Sequence, residues 1–184
     1  MMATKPVPGF TEDWFCDLSR DTLAALTREV AHIDGAIIEI GSWEGRSSCV
    51  LANAAHPRIV DCVDTWAGSP DEISSSLAAE RDVHAQWLAN IDAYTAGNVR
   101  AHRMGWRDYV PTITTPVALA FIDAEHSYQE VHDNIVALRP HMAPGGIMCG
   151  DDVSHPPVRQ AVADILNPHR VWVKATLWIW RVPK

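Results

Sequence analysis

The sequence predicts an α/β protein: a doubly wound, mostly parallel sheet with helices on both faces and an antiparallel hairpin at its C-terminal edge. Three observations predict it. Short apolar runs alternate with amphipathic stretches of helical length along the whole chain, the pattern of strand–helix–strand units. The strongest runs, Ala36–Ile40 and Val117–Asp123, lack the polar alternation of a half-exposed strand and so read as covered on both faces. Most of the strands end in an acid or a glycine, which gathers polar groups at one edge of the sheet.

Each element follows from local chemistry. After a Pro/Gly-bearing leader, residues 1–16, the segment Leu18–Ile33 places Leu23, Leu26, Val30 and Ile33 at helical spacing until Asp34-Gly35 stops it. Ala36–Ile40 is the first strand, Gly41–Gly45 a loop, and Arg46–Ala55 a helix broken by Pro57. Arg58–Asp64 is the second strand. Residues 66–97 form a longer excursion, in which Gly68–Asp71 and Ser74–Ser76 read as loop and Leu77–Tyr94 as one helix carrying Val83, Trp87 and Ile91. Asn98–Arg103 is a third, weaker strand, followed by the Met104-Gly105-Trp106 turn. Behind the strand Val117–Asp123, Ser127 and Glu130 predict a capping box for a helix with the stripe Tyr128, Val131, Ile135, Leu138, ended by Pro140. Ala143–Gly146 turns into the strand Ile147–Gly150, and Val158–Leu166 is the last helix. Stretches around Trp172 and Trp178–Trp180 mark the closing hairpin. With no repeat or linker, residues 1–184 read as a single domain, its excursion a lid or acceptor pocket.

Composition narrows the function. The 15 Lys+Arg against 23 Asp+Glu give a net charge of −8, which argues against nucleic acid because a phosphate grip needs a concentrated basic face. The four cysteines form no CxxC pair and fit a reduced, cytoplasmic setting. No stretch has signal-peptide or membrane-spanning character, so a soluble protein without a membrane partner is expected. Homo-oligomers remain open. The unusual feature is aromatic: 8 Trp against 3 Phe and 3 Tyr.

In a doubly wound sheet ligands bind beyond the carboxyl ends of the strands, near the point where strand order reverses. Glu39 with Gly41, Asp64, the Gly105-Trp106 turn, Asp123 and Asp151-Asp152 all fall at those ends. Gly41 and Gly45 let the backbone approach a ligand, and Ser47 and Ser48 start the next helix, whose first N–H groups are free. The spacing is GxxxG rather than GxGxxG, which supports a dinucleotide site only weakly; a turn needing glycine for its geometry alone reads equally well. Asp64 stands where a carboxylate would accept ribose hydroxyls, or else is a turn aspartate before Thr65-Trp66.

The segments Glu39–Ser48 (EIGSWEGRSS), Val63–Trp66, Phe121–Tyr128 (FIDAEHSY) and Pro144–Asp152 resemble the motifs of S-adenosylmethionine-dependent methyltransferases with the Rossmann-like fold. More narrowly, the Ile-Asp-x-x-His-Ser-Tyr and Gly-Asp-Asp pieces resemble the macrocin and mycinamicin type of macrolide sugar O-methyltransferases, over about Ile37–Leu166. Those enzymes carry additional N-terminal sequence, so their substrate does not transfer. The resemblance implies that Glu39, Gly41, Gly45 and Ser47, in the loop with Ser42 and Trp43, surround the methionine and ribose portions of the cofactor. It places Asp64 on the ribose and Gly105-Trp106 beside the adenine. Trp43, Trp66 and Trp106 could enclose adenine or the sulfonium, since tryptophan is the strongest cation–π face, although packing alone also accounts for each.

Asp123, Asp151 and Asp152 would repel one another unless a cation or proton intervenes, and a hard divalent ion, Mg²⁺, suits their oxygens. His126, three residues after Asp123, is a candidate general base for an acceptor hydroxyl. The resemblance assigns the same two roles to the matching positions. Asp-Asp is also ordinary turn composition, and a histidine beside a helix cap is often structural. His155 is a weaker ligand candidate. The expected function is thus O-methyl transfer from S-adenosylmethionine to a small hydroxylated acceptor, assisted by Mg²⁺ or independent of metal. A nicotinamide oxidoreductase would need the missing third glycine, and a non-catalytic nucleoside-binding protein would not need the second constellation.

Overall fold

The computed structural model of the chain describes residues 6–184; the first five residues of the expected leader lie outside the described residues. Seven strands form one sheet: β1 (Ala36–Ile40), β2 (Val60–Asp64), β3 (Val99–Arg103), β4 (Val117–Ile122), β5 (Met142–Gly150), β6 (Val171–Lys174) and β7 (Leu177–Arg181). Their order is β3-β2-β1-β4-β5-β7-β6. The pairings among β1 to β5 are parallel, and β7 runs antiparallel to both β5 and β6. The expected hairpin is therefore present, with β7 as its inner strand and β6 as the edge.

Alternation along the strands divides the core into two layers. Ile37, Leu119, Phe121 and Ile147 face one layer with Leu23, Leu26, Leu51 and Trp87. These come from α1 (Asp17–Glu29), α2 (Arg46–Ala55) and α4 (Val83–Tyr94). Ile38, Ile40, Ala120 and Met148 face the other layer with Tyr109, Ile135, Leu138 and Val158. These belong to α5 (Trp106–Tyr109), α6 (Tyr128–Leu138) and α7 (Pro156–Ile165). Strands buried on both faces lose their polar alternation, which is why β1 and β4 are legible as runs. No helix among the described residues is long and apolar enough to cross a membrane.

Five local readings change. The helix read as Leu18–Ile33 is α1 followed by a 3₁₀ turn, Val30–His32. The single helix read as Leu77–Tyr94 is two, α3 (Ile73–Glu80) and α4. Arg81 leaves helical geometry with φ −145 and ψ 155, and the Asp82 side chain accepts the Ala85 N–H at 2.9 Å to start α4 afresh. The Ser74–Ser76 cluster is thus helical, with Ser74 Oγ accepting the Ser69 N–H. The turn read at Ala143–Gly146 is a bulge inside β5, since Met142 already pairs with Val117. Half of the capping box forms: Ser127 Oγ accepts the Glu130 N–H, while the Glu130 carboxylate turns to Trp106 and Arg107 and Tyr128 faces outward.

The fold reverses between β1 and β4. β1 continues through α2 to β2 on one side, and the chain returns through α5 to β4 on the other. Gly41 sits at this point with φ +85, and a Cβ there would lie 1.9 Å from the Asp123 carbonyl oxygen. Asp123 N–H donates to the Ile40 carbonyl at 2.8 Å and Gly41 N–H to that of Val63 at 2.9 Å, so the strand ends stay locked as the backbone turns away. Replacing Gly41 by alanine combines left-handed strain with a backbone clash. Urea unfolding of Gly41→Ala should show a loss of at least ~2 kcal/mol; a smaller loss would mean that the strand ends part easily.

Candidate active site

The loop after β1 is held from two sides. Glu39, fully buried on β1, accepts hydrogen bonds from Ser42 Oγ at 2.7 Å and Ser47 Oγ at 2.6 Å, and a short one from Ser48 Oγ. Burial pushes its carboxyl above the usual range, opposed by the serine hydroxyls. Asp64, at the end of β2, accepts the N–H groups of Ser42 and Trp43 on one oxygen, at 2.7 and 2.8 Å, and that of Trp66 on the other, at 2.6 Å. Together the two acids set the path of Gly41–Gly45. Gly45, at φ +87, starts α2, and a Cβ there would meet the Trp87 indole at 2.8 Å.

Beyond this loop opens a cavity of about 900 Å³. Gly41, Ser42, Trp43, Ser47 and Asp64 line one part of it, and Gly105 and Trp106 border the same space. The Trp106 ring is fixed by its Nε1–H, which donates to Glu130 at 2.9 Å, and by the Arg107 guanidinium 4.3 Å from its centroid. A segment of the expected leader also reaches the cavity. Thr11 donates through N–H and Oγ to the Glu44 carboxylate, both at 2.7 Å. Arg81 then bridges Glu12 and Glu44 at 2.7 and 3.1 Å, while Phe10 and Trp14 line the cavity wall.

The far part of the cavity is acidic. Asp123 follows β4, Asp151 and Asp152 follow β5, and His126 precedes α6. His126 Nε2 lies 2.7 Å from Asp152 Oδ2, and Nδ1 lies 3.0 Å from Glu72 Oε1. One ligand atom each from Asp123, His126 and Asp152 falls within 4.8 Å of the others. Asp151 is more deeply buried, and its Oδ1 accepts the Asp152 N–H at 2.8 Å. Asp123, Asp152 and His126 form the tight group here, and Asp151 lines the same cavity beside them. The His155 ring packs 5.1 Å from that of His126, and its Nε2 is 3.8 Å from Asp152.

The charges answer one another. Burial, then the neighbouring Asp151 and Asp152, pushes the Asp123 carboxyl well up, and burial raises Asp151 as well. The hydrogen bond to Asp152 lifts His126 to about 9 against the opposing effect of burial. Asp152 is held below its ordinary value because the His126 bond and charge outweigh its desolvation. His126 and Asp152 therefore form an ion pair within this carboxylate edge.

Of the residues singled out in the sequence, Gly41, Ser42, Trp43, Ser47, Asp64, Gly105, Trp106, Asp123, His126, Asp151 and Asp152 meet at the cavity. Three do not line it. Glu39 lies beneath the loop, and Gly45 meets Trp87. Trp66, expected on a ligand-facing loop, is buried against His84 and Trp87, with its Nε1–H donating to the Trp43 carbonyl at 2.8 Å. Sequence reasoning missed Glu72, Glu44, Thr11 and Arg81. Glu72 is 54 positions from His126, and no spacing signal joins them.

A doubly wound sheet with a cavity at its reversal point, a pinned glycine loop and an acid ending β2 is the arrangement in which α/β proteins bind nucleosides. The chain belongs to the methyltransferase domain family, which matches residues 38–153. It is similar to the 8-demethyl-8-(2,3-dimethoxy-alpha-L-rhamnosyl)-tetracenomycin-C 4'-O-methyltransferase of Streptomyces olivaceus, at 26% identity over 152 residues. That match covers 72% of this chain and 58% of the relative, so the chain spans less than two thirds of the relative's length. Among solved structures, the O-methyltransferase NovP has 19% identity and a TM-score of 0.69, covering 90% of this chain and 79% of its own. The O-methyltransferase TomG of Streptomyces achromogenes, involved in tomaymycin synthesis and solved with S-adenosylmethionine, has 17% identity and a TM-score of 0.64, covering 89% and 80%. Both share the fold.

The raised pKa of His126 links stability to pH. A histidine raised from 6.5 to about 9 stabilises the folded state fully below 6.5, and that contribution disappears as pH rises through 9. Urea titrations of the metal-free protein should therefore show stability falling across this interval, and falling less in His126→Gln. Equal slopes for the two proteins would contradict the ion pair with Asp152.

Proposed function

We propose that the protein transfers the methyl group of S-adenosylmethionine to a hydroxyl of a small acceptor. The observation that carries this reading is a large cavity with two chemically different parts: a glycine loop pinned between Glu39 and Asp64, and a carboxylate–imidazole cluster facing it. Family membership, and a relative named for methylating a hydroxyl of a rhamnosyl-bearing compound, support the reaction class.

The cofactor supplies a methyl group made electrophilic by an adjacent sulfonium. Gly41, Ser42, Trp43 and Ser47 form its bed, and Gly105 and Trp106 border the base. Asp64 spends three acceptor sites on backbone N–H groups, and a carboxylate offers about four, so one remains for a ribose hydroxyl. Glu39 and Gly45 act indirectly, through the loop that they shape. At the acceptor, Nε2 of His126 would take the hydroxyl proton once its own proton and the contact with Asp152 have been given up, while the cavity walls align oxygen and methyl.

The cluster suits a hard cation. Asp123 and Asp152 present carboxylate oxygens within reach of one ion, and burial, then the neighbouring Asp151 and Asp152, raises Asp123, which a bound cation would relieve. These two residues would hold Mg²⁺, with Asp151 supporting Asp152, and the ion would polarise the acceptor oxygen and lower its pKa. A metal-independent reaction is the second reading, favoured by the neutralisation of Asp152 that His126 already provides. The four free cysteines fit the reducing conditions of a cytoplasmic protein.

Calorimetry should detect S-adenosylmethionine binding, weakened about 10-fold or more in Asp64→Ala. Undiminished affinity in that variant would overturn the ribose assignment. With a hydroxylated acceptor, His126→Ala should lose about 10²- to 10⁴-fold in turnover. Chelation by EDTA should abolish the wild-type rate, and an unchanged rate would select the metal-independent reading.

A further inference from the structure

We propose that Arg81 is a positioning residue for the cofactor: it clasps the N-terminal strap, residues 7–14, to the glycine loop, and the strap is a removable wall of the cofactor bed. The inference rests on the methyl-transfer reading above, through its placement of S-adenosylmethionine. One guanidinium nitrogen, Arg81 Nη2, lies 2.7 Å from Glu12 Oε2 in the strap and 3.1 Å from Glu44 Oε1 in the loop. Glu44 is almost wholly buried, with a side chain 2% exposed, and it also accepts the Thr11 N–H and hydroxyl. The same guanidinium lies 5.8 Å from the ring centroid of Trp43, a residue of the bed. Three segments distant in sequence thus meet at Arg81.

The break between α3 and α4 delivers this side chain. Arg81 has left helical geometry, with φ −145 and ψ 155, while its N–H still donates to the Leu77 carbonyl at 3.1 Å. The strap has no core of its own: none of residues 7–14 is buried, and the chain first enters the core at Phe15, whose ring lies 5.8 Å from that of Phe121. Beyond the ring contacts of Phe10 with Tyr94 and Trp14 with Trp43, polar groups hold it. Gly9 N–H donates to Asn90 Oδ1 at 2.7 Å, and the Gly9 carbonyl accepts from Asn90 and Gln86, both at 2.9 Å. Arg46 donates to the Glu12 carbonyl at 2.7 Å. A segment tied mainly by hydrogen bonds near solvent opens locally far more easily than the sheet does. Phe10, Glu12 and Trp14 nevertheless line the cavity beside Ser42, Trp43 and Ser47. The strap therefore walls the bed, and it parts from Arg81 and Glu44 when the cofactor enters or leaves.

Stopped-flow displacement of S-adenosylmethionine from wild type, Arg81→Ala, Arg81→Lys and Glu12→Ala tests this. Arg81→Ala and Glu12→Ala should release the cofactor about 3- to 10-fold faster, and its KM should rise in step with a smaller change in kcat. Arg81→Lys, which keeps the charge, should recover part of the loss. Glu12→Ala leaves Arg81 and Glu44 paired, so it decides the matter even where Arg81→Ala fails to fold. Chymotrypsin should cut the empty wild type after Phe10 or Trp14, and about 10-fold more slowly with S-adenosylhomocysteine bound. Release unchanged in Glu12→Ala, or cleavage equally fast with and without S-adenosylhomocysteine, overturns the proposal. A wild type that shows this protection but transfers no methyl group overturns the methyl-transfer reading instead, and the clasp stands.

Discussion

A carboxylate buried inside a β-strand organises this molecule. Glu39 lies on β1 between Cys62 of β2 and Phe121 of β4, where an unpaired charge would cost several kcal/mol. Three serine hydroxyls satisfy it, from Ser42 in the loop and from Ser47 and Ser48 in the first turn of α2. Satisfying the acid therefore fixes the loop. Ser48 in turn accepts the Trp87 indole N–H at 3.2 Å, which ties α4 to the same point. Asn90 on α4 carries the connection on to the Glu44 and Gly9 carbonyls, at 2.8 and 2.9 Å. One buried charge thus links the sheet, the loop, the excursion and the N-terminal segment that lines the cavity.

The acids at the sheet edge divide by what satisfies them. Glu39 is matched by hydroxyls, and Asp64 largely by backbone N–H groups. Both are structural before they are anything else. Asp123 and Asp152 lack such a set of donors, and the imidazole of His126, with that of His155 farther off, stands beside Asp152. That difference separates a rigid bed from a reactive edge. The negative surplus of the chain has a physical place here: part of it is concentrated where a cation, a proton or both are needed.

The sheet was legible because burial on both faces leaves a simple trace. Ala36–Ile40 and the run from Val117 read as strands without help from any other residue; Asp123, ending the second, lines the cavity, whereas Glu39 of the first lies beneath the loop. Signals that depend on distant partners were harder to read. Ser74–Ser76 looks like loop composition, yet it is helical because α3 begins at Ile73. Glu130 suits a capping box by spacing, but Trp106 and Arg107 offer its carboxylate stronger donors. Trp66 follows a strand end like a ligand-facing residue, yet the space beneath the loop is apolar and takes its ring. Glu72 reaches His126 only after the excursion has folded back over β4, so neither local pattern nor spacing announces it.

The central claim is that the cofactor bed and the acid–imidazole edge belong to one reaction cavity. A crystal structure with S-adenosylhomocysteine tests it most directly. The account predicts the nucleoside between Asp64 and Trp106, with the sulfur over Gly41 and open space from it toward His126 Nε2. A product molecule bound outside this cavity, or with its sulfur directed away from His126 and Asp123, would contradict it.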